Sequence, residues 1–170
     1  MQPSHLLVEV LGQRVHLALV LRHVPVQLDL SEPSLKPDLA VTITFDGGSL
    51  GNPGAGYGSY AIAGLDREPI FTRLNFSESG QIVTNNQAEY RTLIKALEDV
   101  SNRVGTNAQR TALTVQGDSK LVIEQVAGRW KVKNAELKSL VMRAQALVTQ
   151  FGKVTLVWHP RSKSVDILGH

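Results

Sequence analysis

Four carboxylates stand where regular structure is expected to change direction: Asp46 after "LAVTITF", Glu89 in "TNNQAEY", Asp118 in "VQGDSK" and Asp166 in "RSKSVDILGH". In α/β sheets, functional groups collect where strands end and helices begin. Ionised carboxylates drawn together repel, and each raises its neighbour's pKa unless a cation intervenes. Hard divalent cations with oxygen ligands are the natural remedy. The chain has no cysteine and no histidine pair at ligand spacing, which disfavours zinc. An all-carboxylate site suits Mg²⁺ or Mn²⁺, and paired hard metals suit phosphodiester cleavage. Each acid also has a purely structural reading. Asp46-Gly47 after an alternating run reads as a hairpin turn. Glu89 reads as the capping-box partner of an Asn86 N-cap. Asp118 reads as a cap for the helix beginning at Ser119, and Asp166 as a solvated tail residue.

The elements that must position these acids follow from periodicity. "LAVTITF" alternates, with Val41, Ile43 and Phe45 on one face, and "YGSYAIAG" and "IFTRLNF" read as two further strands. The period then changes: Tyr90, Leu93, Ile94, Leu97, Val100 and Val104 form one stripe of an amphipathic helix. "TALTVQG" is a fourth strand, "SKLVIEQVAG" a short helix ended by Gly128, and "NAELKSLVMRAQALVTQF" a long helix. Leu137, Leu140, Val141, Ala144, Val148 and Phe151 line that helix's core face, and "KVTLVWH" is a fifth strand. The order β-β-β-α-β-α-α-β defines an α/β domain, a five-stranded mixed sheet with helices on both faces. Residues 5 to 30, rich in Val and Leu, read as two or three short strands, and "SEPSLKPD" reads as a linker. The expected organisation is therefore a small β-hairpin or meander extension over residues 1–35 and a catalytic domain over residues 36–170.

Bulk composition is that of an ordinary globular domain: 170 residues, 42% hydrophobic and 19% charged, with a net charge of +3. The absence of cysteine excludes disulfides and is compatible with a reducing, cytoplasmic setting. No apolar run approaches the roughly 20 residues needed to span a bilayer, so no membrane association is expected. The modest basicity permits a polyanionic partner.

"TFDGGSLGNPGAGYGSYAI", "TNNQAEYRTLIKAL", "VQGDSKLVIEQVAGRWKVKN" and "VTLVWHPR" together closely resemble type 1 ribonuclease H, over about residues 40 to 166. The resemblance implies an endonuclease that cuts the RNA strand of an RNA/DNA hybrid with two Mg²⁺ ions, Mn²⁺ substituting, held by four acids. By motif these fall on Asp46, Glu89, Asp118 and Asp166. The "HPRSKSVDIL" segment is about two residues shorter than the family pattern and lacks its Asn. The usual last helix is accordingly expected to be absent or a stub. A non-catalytic nucleic-acid-binding module of the same fold is the alternative.

Hybrid recognition requires sensing 2′-hydroxyls in a wide, shallow minor groove. Gly47 and Gly48, then Asn52, Pro53 and Gly54, offer main chain and amide at close range, since glycine lets backbone approach a ligand. Thr84, Asn85, Asn86 and Gln87 stand at a helix N-terminus, where free N–H groups favour phosphate. In "GRWKVKN", Arg129, Lys131 and Lys133 stand around Trp130, a basic stretch beside an aromatic that suits phosphate tracking. Arg161 matches the family's Pro-Arg and is expected near the scissile phosphate. His159 offers itself as a general base, but its register does not match the family histidine and it reads as a packing residue. His5, His16 and His23 read as surface or packing residues. Residues 1–35 contain no Trp, Tyr or Phe for base stacking and are a candidate self-association or protein-partner segment.

Overall fold

The computed structural model describes residues 37–77 and 80–169, which belong to one unit, Leu35–His170. The expected N-terminal extension, with His5, His16 and His23, lies outside the described residues. Strands β1 (Leu39–Gly51), β2 (Gly54–Ala63), β3 (Ile70–Asn75) and β4 (Ile82–Val83) lead into helix α1 (Asn85–Val104). A 3₁₀ segment (Gly105–Arg110) precedes β5 (Thr111–Gly117), followed by α2 (Lys120–Val126), α3 (Ala135–Val148), β6 (Lys153–Trp158) and α4 (Arg161–Leu168). The sheet order is β3-β2-β1-β5-β6, with the two-residue β4 paired to β2. β1 runs antiparallel to β2 and parallel to β5, and β5 parallel to β6, so the sheet is mixed as expected.

The alternation in β1 buries Val41, Ile43 and Phe45 against α1. The α1 stripe from Tyr90 to Val104 is buried throughout, and Leu137, Val141 and Ala144 of α3, with Phe151 just beyond it, close the core. Each fully buried side chain of this size stabilises the fold by roughly 1.5–3 kcal/mol. Gly58 explains how close α1 comes. A Cβ there would collide with the buried Thr92 Oγ1, so β2 can meet the helix only without a side chain.

Two expectations are corrected. Asp46 does not end its strand: the β1–β2 ladder continues through Asp46↔Ser59 to Gly51↔Gly54. The reversal falls at Gly51–Gly54, where Gly51 adopts φ 87, a value L side chains resist. The Asp-Gly signal was overridden because the facing strand supplies partners for five more residues beyond Asp46. Secondly, the last helix, expected to be absent or a stub, forms over eight residues as α4, closed by Gly169 in the left-handed region. An isolated helix so short would not persist. Ser164 and Leu168, four residues apart, are buried where α4 packs on β1 and β2, and that contact holds it. Leu168 lines a hollow with Ser59, Phe71 and Arg73, on the sheet face turned away from α1. Among the described residues, no helix is long and apolar enough to cross a membrane.

Candidate active site

Three acids expected from the sequence meet. Asp46, Glu89 and Asp118 each present a carboxylate oxygen, and these oxygens lie within 4.8 Å of one another. β1 carries Asp46 inward, 2% exposed; α1 carries Glu89, 8% exposed, just past its first turn; the β5–α2 junction carries Asp118. The register explains the meeting. β5 pairs with β1 up to Phe45↔Gly117, so the next residue on each parallel strand is an aspartate. Glu89 arrives because Gly47 has no side chain: a Cβ there would lie 2.7 Å from the Ala88 carbonyl and the Glu89 nitrogen. The Gly47 N–H then donates to the Glu89 carboxylate.

Electrostatically the pocket is unsatisfied. Burial pushes the Glu89 pKa well above the ordinary carboxylate value, and the negative charges of Asp46 and Asp118 push it further. Arg161 and the Gly47 N–H oppose the rise without cancelling it. Glu89 Oε2 and Asp118 Oδ2 are buried with no hydrogen-bond partner. Buried polar atoms of this kind call for an explanation. Hard oxygen donors crowded in this way fit a divalent cation of the Mg²⁺ or Mn²⁺ class.

The fourth expected acid does not fall within that 4.8 Å group. Asp166 is exposed on α4 and lies outside the three-acid group. Two residues earlier Ser164 is buried, and a two-residue step turns about 200° around a helix. The residue α4 does send to the acids is Arg161, its first. Arg161 Nη2 lies 3.7 Å from Asp46 Oδ2, and Nη1 lies 3.6 Å from Asp118 Oδ2.

The expected substrate residues divide into those gathered beside the acids and those on a separate projection. The Ser49 N–H and hydroxyl both donate to Asn85 Oδ1, at 2.9 and 2.8 Å, and the Asn85 N–H donates to Asn52 Oδ1 at 3.2 Å. These bonds staple the Gly51–Gly54 turn to the start of α1, leaving Asn52, Pro53, Asn85 and Asn86 exposed together. The helix cap differs from expectation: Thr84, not Asn86, is the N-cap, and Gln87, not Glu89, completes its capping box. Glu89 is thereby left for the acid pocket. Asp118 makes no cap either, because Ser119 holds the N-cap position of α2.

Trp130, Lys131 and Lys133 are exposed between α2 and α3. Their main chain is anchored from below: buried Gln125 donates to the Lys131 carbonyl and accepts from Tyr90 Oη at 2.7 Å. Trp158, 46% exposed, was read only as a strand residue. Its indole N–H donates to the Asp118 carbonyl at 2.9 Å, and Lys120 Nζ lies 5.8 Å from its ring centroid. A tryptophan adjoining "HPR" at a strand end was the available signal. His159 is buried, with Nδ1 3.0 Å from the Pro160 carbonyl.

A mixed sheet of this order, with three acids converging where β1, β5 and α1 meet, defines the ribonuclease H-like class of α/β domains. The chain belongs to that family: the model for reverse transcriptase-like domains matches residues 55–165. Among its relatives is the bifunctional protein Rv2228c of Mycobacterium tuberculosis, 43% identical over 130 residues, 74% of this chain and 33% of that protein. Ribonuclease HI of Halobacterium salinarum is 32% identical over 121 residues, covering 69% of this chain and 55% of that one. The chain thus spans about a third to a half of these relatives' length. The solved N-terminal RNase H domain of Rv2228c superposes with a TM-score of 0.65 at 38% identity, over 75% of this chain and 87% of that one. LC11-RNase H1 in complex with an RNA/DNA hybrid gives 0.61 at 28% identity, over 74% and 89%.

Proposed function

We propose that this chain hydrolyses the RNA strand of RNA/DNA hybrids at the Asp46–Glu89–Asp118 pocket. The observation that carries the reading is the convergence of three carboxylates within 4.8 Å, those of Asp46 and Glu89 buried, with Glu89 Oε2 left without a hydrogen-bond partner. The likeness to LC11-RNase H1, solved with a hybrid, supports the choice of substrate.

Asp46, Glu89 and Asp118 would hold the divalent cations. Bound there, hard divalent ions supply activation of the attacking water and charge compensation at the departing 3′-oxygen. The chain's own residues do the rest. Burial of the acids excludes bulk water and sharpens every charge interaction inside the pocket. Exposed Asn52, Asn85 and Asn86, held by the Ser49–Asn85–Asn52 bonds, present amides to the minor groove, where 2′-hydroxyls mark the strand to be cut. Lys131 and Lys133 track the phosphates.

The exposure of Asp166 specifically favours one second reading, a hybrid-binding module without catalysis. A labelled hybrid incubated with Mg²⁺ or Mn²⁺, beside single-stranded RNA and double-stranded DNA, separates the two. Release of short RNA products from the hybrid alone is the expected result. Intact hybrid with retained binding sinks the enzyme reading.

A further inference from the structure

Arg161 is a cation at the acid pocket whose placement the hydrolytic reading does not account for. Its guanidinium is 64% exposed, yet it reaches two carboxylates whose side chains are only 3% and 8% exposed. Charge-assisted hydrogen bonds run about 2.7–2.9 Å. The separations here, 3.7 Å to Asp46 and 3.6 Å to Asp118, fall outside that range. The guanidinium is therefore held by attraction across the mouth of the pocket, without the bidentate geometry that would lock it there. Such a contact neutralises and can be given up.

There is room to receive the side chain if it leaves. Arg161 also lines a cavity of about 460 Å³ with Tyr57, Gly58, Ser59, Arg73 and Leu74. The cavity adjoins the acids through the sheet: Ser59 pairs with Asp46, and Arg73 pairs with Ser59. Among the described residues, Arg73 has no acidic partner within ion-pair distance. Two guanidiniums in one recess repel, and an anion lying between them relieves that repulsion.

We propose that Arg161 is a resident counter-cation of the acid pocket, which a divalent ion displaces toward the adjoining cavity. The inference rests on the pocket being a metal site and adds that metal and arginine compete for the same two carboxylates. Exchange raises the ion concentration needed to fill the pocket. It also leaves a guanidinium free to meet the nucleic-acid backbone once the ion is in place.

Calorimetric titration of the full chain with Mn²⁺, beside melting in EDTA, tests this without reference to cleavage. Arg161→Gln should bind Mn²⁺ about three- to tenfold more tightly, the range for a partly exposed ion pair. It should melt below the unaltered chain in EDTA and gain more from added Mn²⁺. Arg161→Lys, which keeps the charge, should return affinity toward that of the unaltered chain. Unchanged or weaker Mn²⁺ binding by a folded Arg161→Gln overturns the exchange. Should that variant fold only with metal, folding at Mn²⁺ concentrations below the unaltered chain's dissociation constant supports it, and a requirement for higher concentrations overturns it. An unaltered chain that binds no Mn²⁺ instead removes the metal site itself.

Discussion

At the scale of single residues, the chemistry depends on carboxylates that cost the fold stability when left alone. Asp46→Asn or Asp118→Asn should lower hybrid cleavage by about a thousandfold or more, because several kcal/mol of charge stabilisation leave with the cation. Binding of the hybrid should persist in both, so a filter or gel assay run beside the cleavage assay distinguishes lost chemistry from lost fold. Glu89 carries a pH signature. Its folded pKa is raised, so the folded state holds the proton more tightly than the unfolded one. The sign follows: without metal, Glu89 favours folding less as pH climbs above the ordinary value of 4.5. Glu89→Gln keeps an acceptor for the Gly47 N–H and removes the ionisation. In EDTA its melting temperature should therefore rise relative to the unaltered chain between acid and neutral pH. Parallel curves for the two would contradict the burial of that charge.

At the scale of elements, the site is a matter of how closely α1 lies on the hairpin and how α4 is turned. Gly58→Ala places a methyl against Thr92 Oγ1 and should cost about 1–3 kcal/mol in urea unfolding, as overpacking does. In a Thr92→Ala background the same change should cost clearly less, since the obstructing side chain is gone. Additive costs would mean that the helix does not rest on that contact. The orientation of α4 makes the opposite kind of prediction. Asp166 is exposed and two residues from buried Ser164, so Asp166→Asn should change cleavage by less than about threefold, like other surface substitutions. A loss as deep as that of Asp46→Asn would show that α4 turns Asp166 inward during turnover.

At the scale of the whole molecule, a net charge of +3 is small for a partner of nucleic acid, so placement of charge matters more than its sum. Lys131 and Lys133 are both exposed on a segment anchored by Gln125. Replacing both by Ala should weaken hybrid binding for every sequence alike. It should also flatten the slope of log affinity against log salt by up to about two units. An unaltered slope would remove this segment from the phosphate path.

Much was determined by sequence alone because it is local or periodic. The apolar stripe from Tyr90 to Val104 needs only a helix's repeat, and Val41, Ile43 and Phe45 need only a strand's. Three of the four acids were legible from the motifs around them. What tertiary structure decided lay wherever a residue's partner is distant in the chain. Asp46 reads as a turn until Ser59 pairs with it, and Asn86 and Glu89 read as a cap until Thr84 and Gln87 take that role while Asn85 turns to Ser49. Arg161 and Asp166 are five residues apart and equally polar, and no repeat in the sequence says which faces the pocket. Burial of Ser164 and Leu168 against the sheet decides it, because docking a helix face fixes the direction of every side chain on that helix at once.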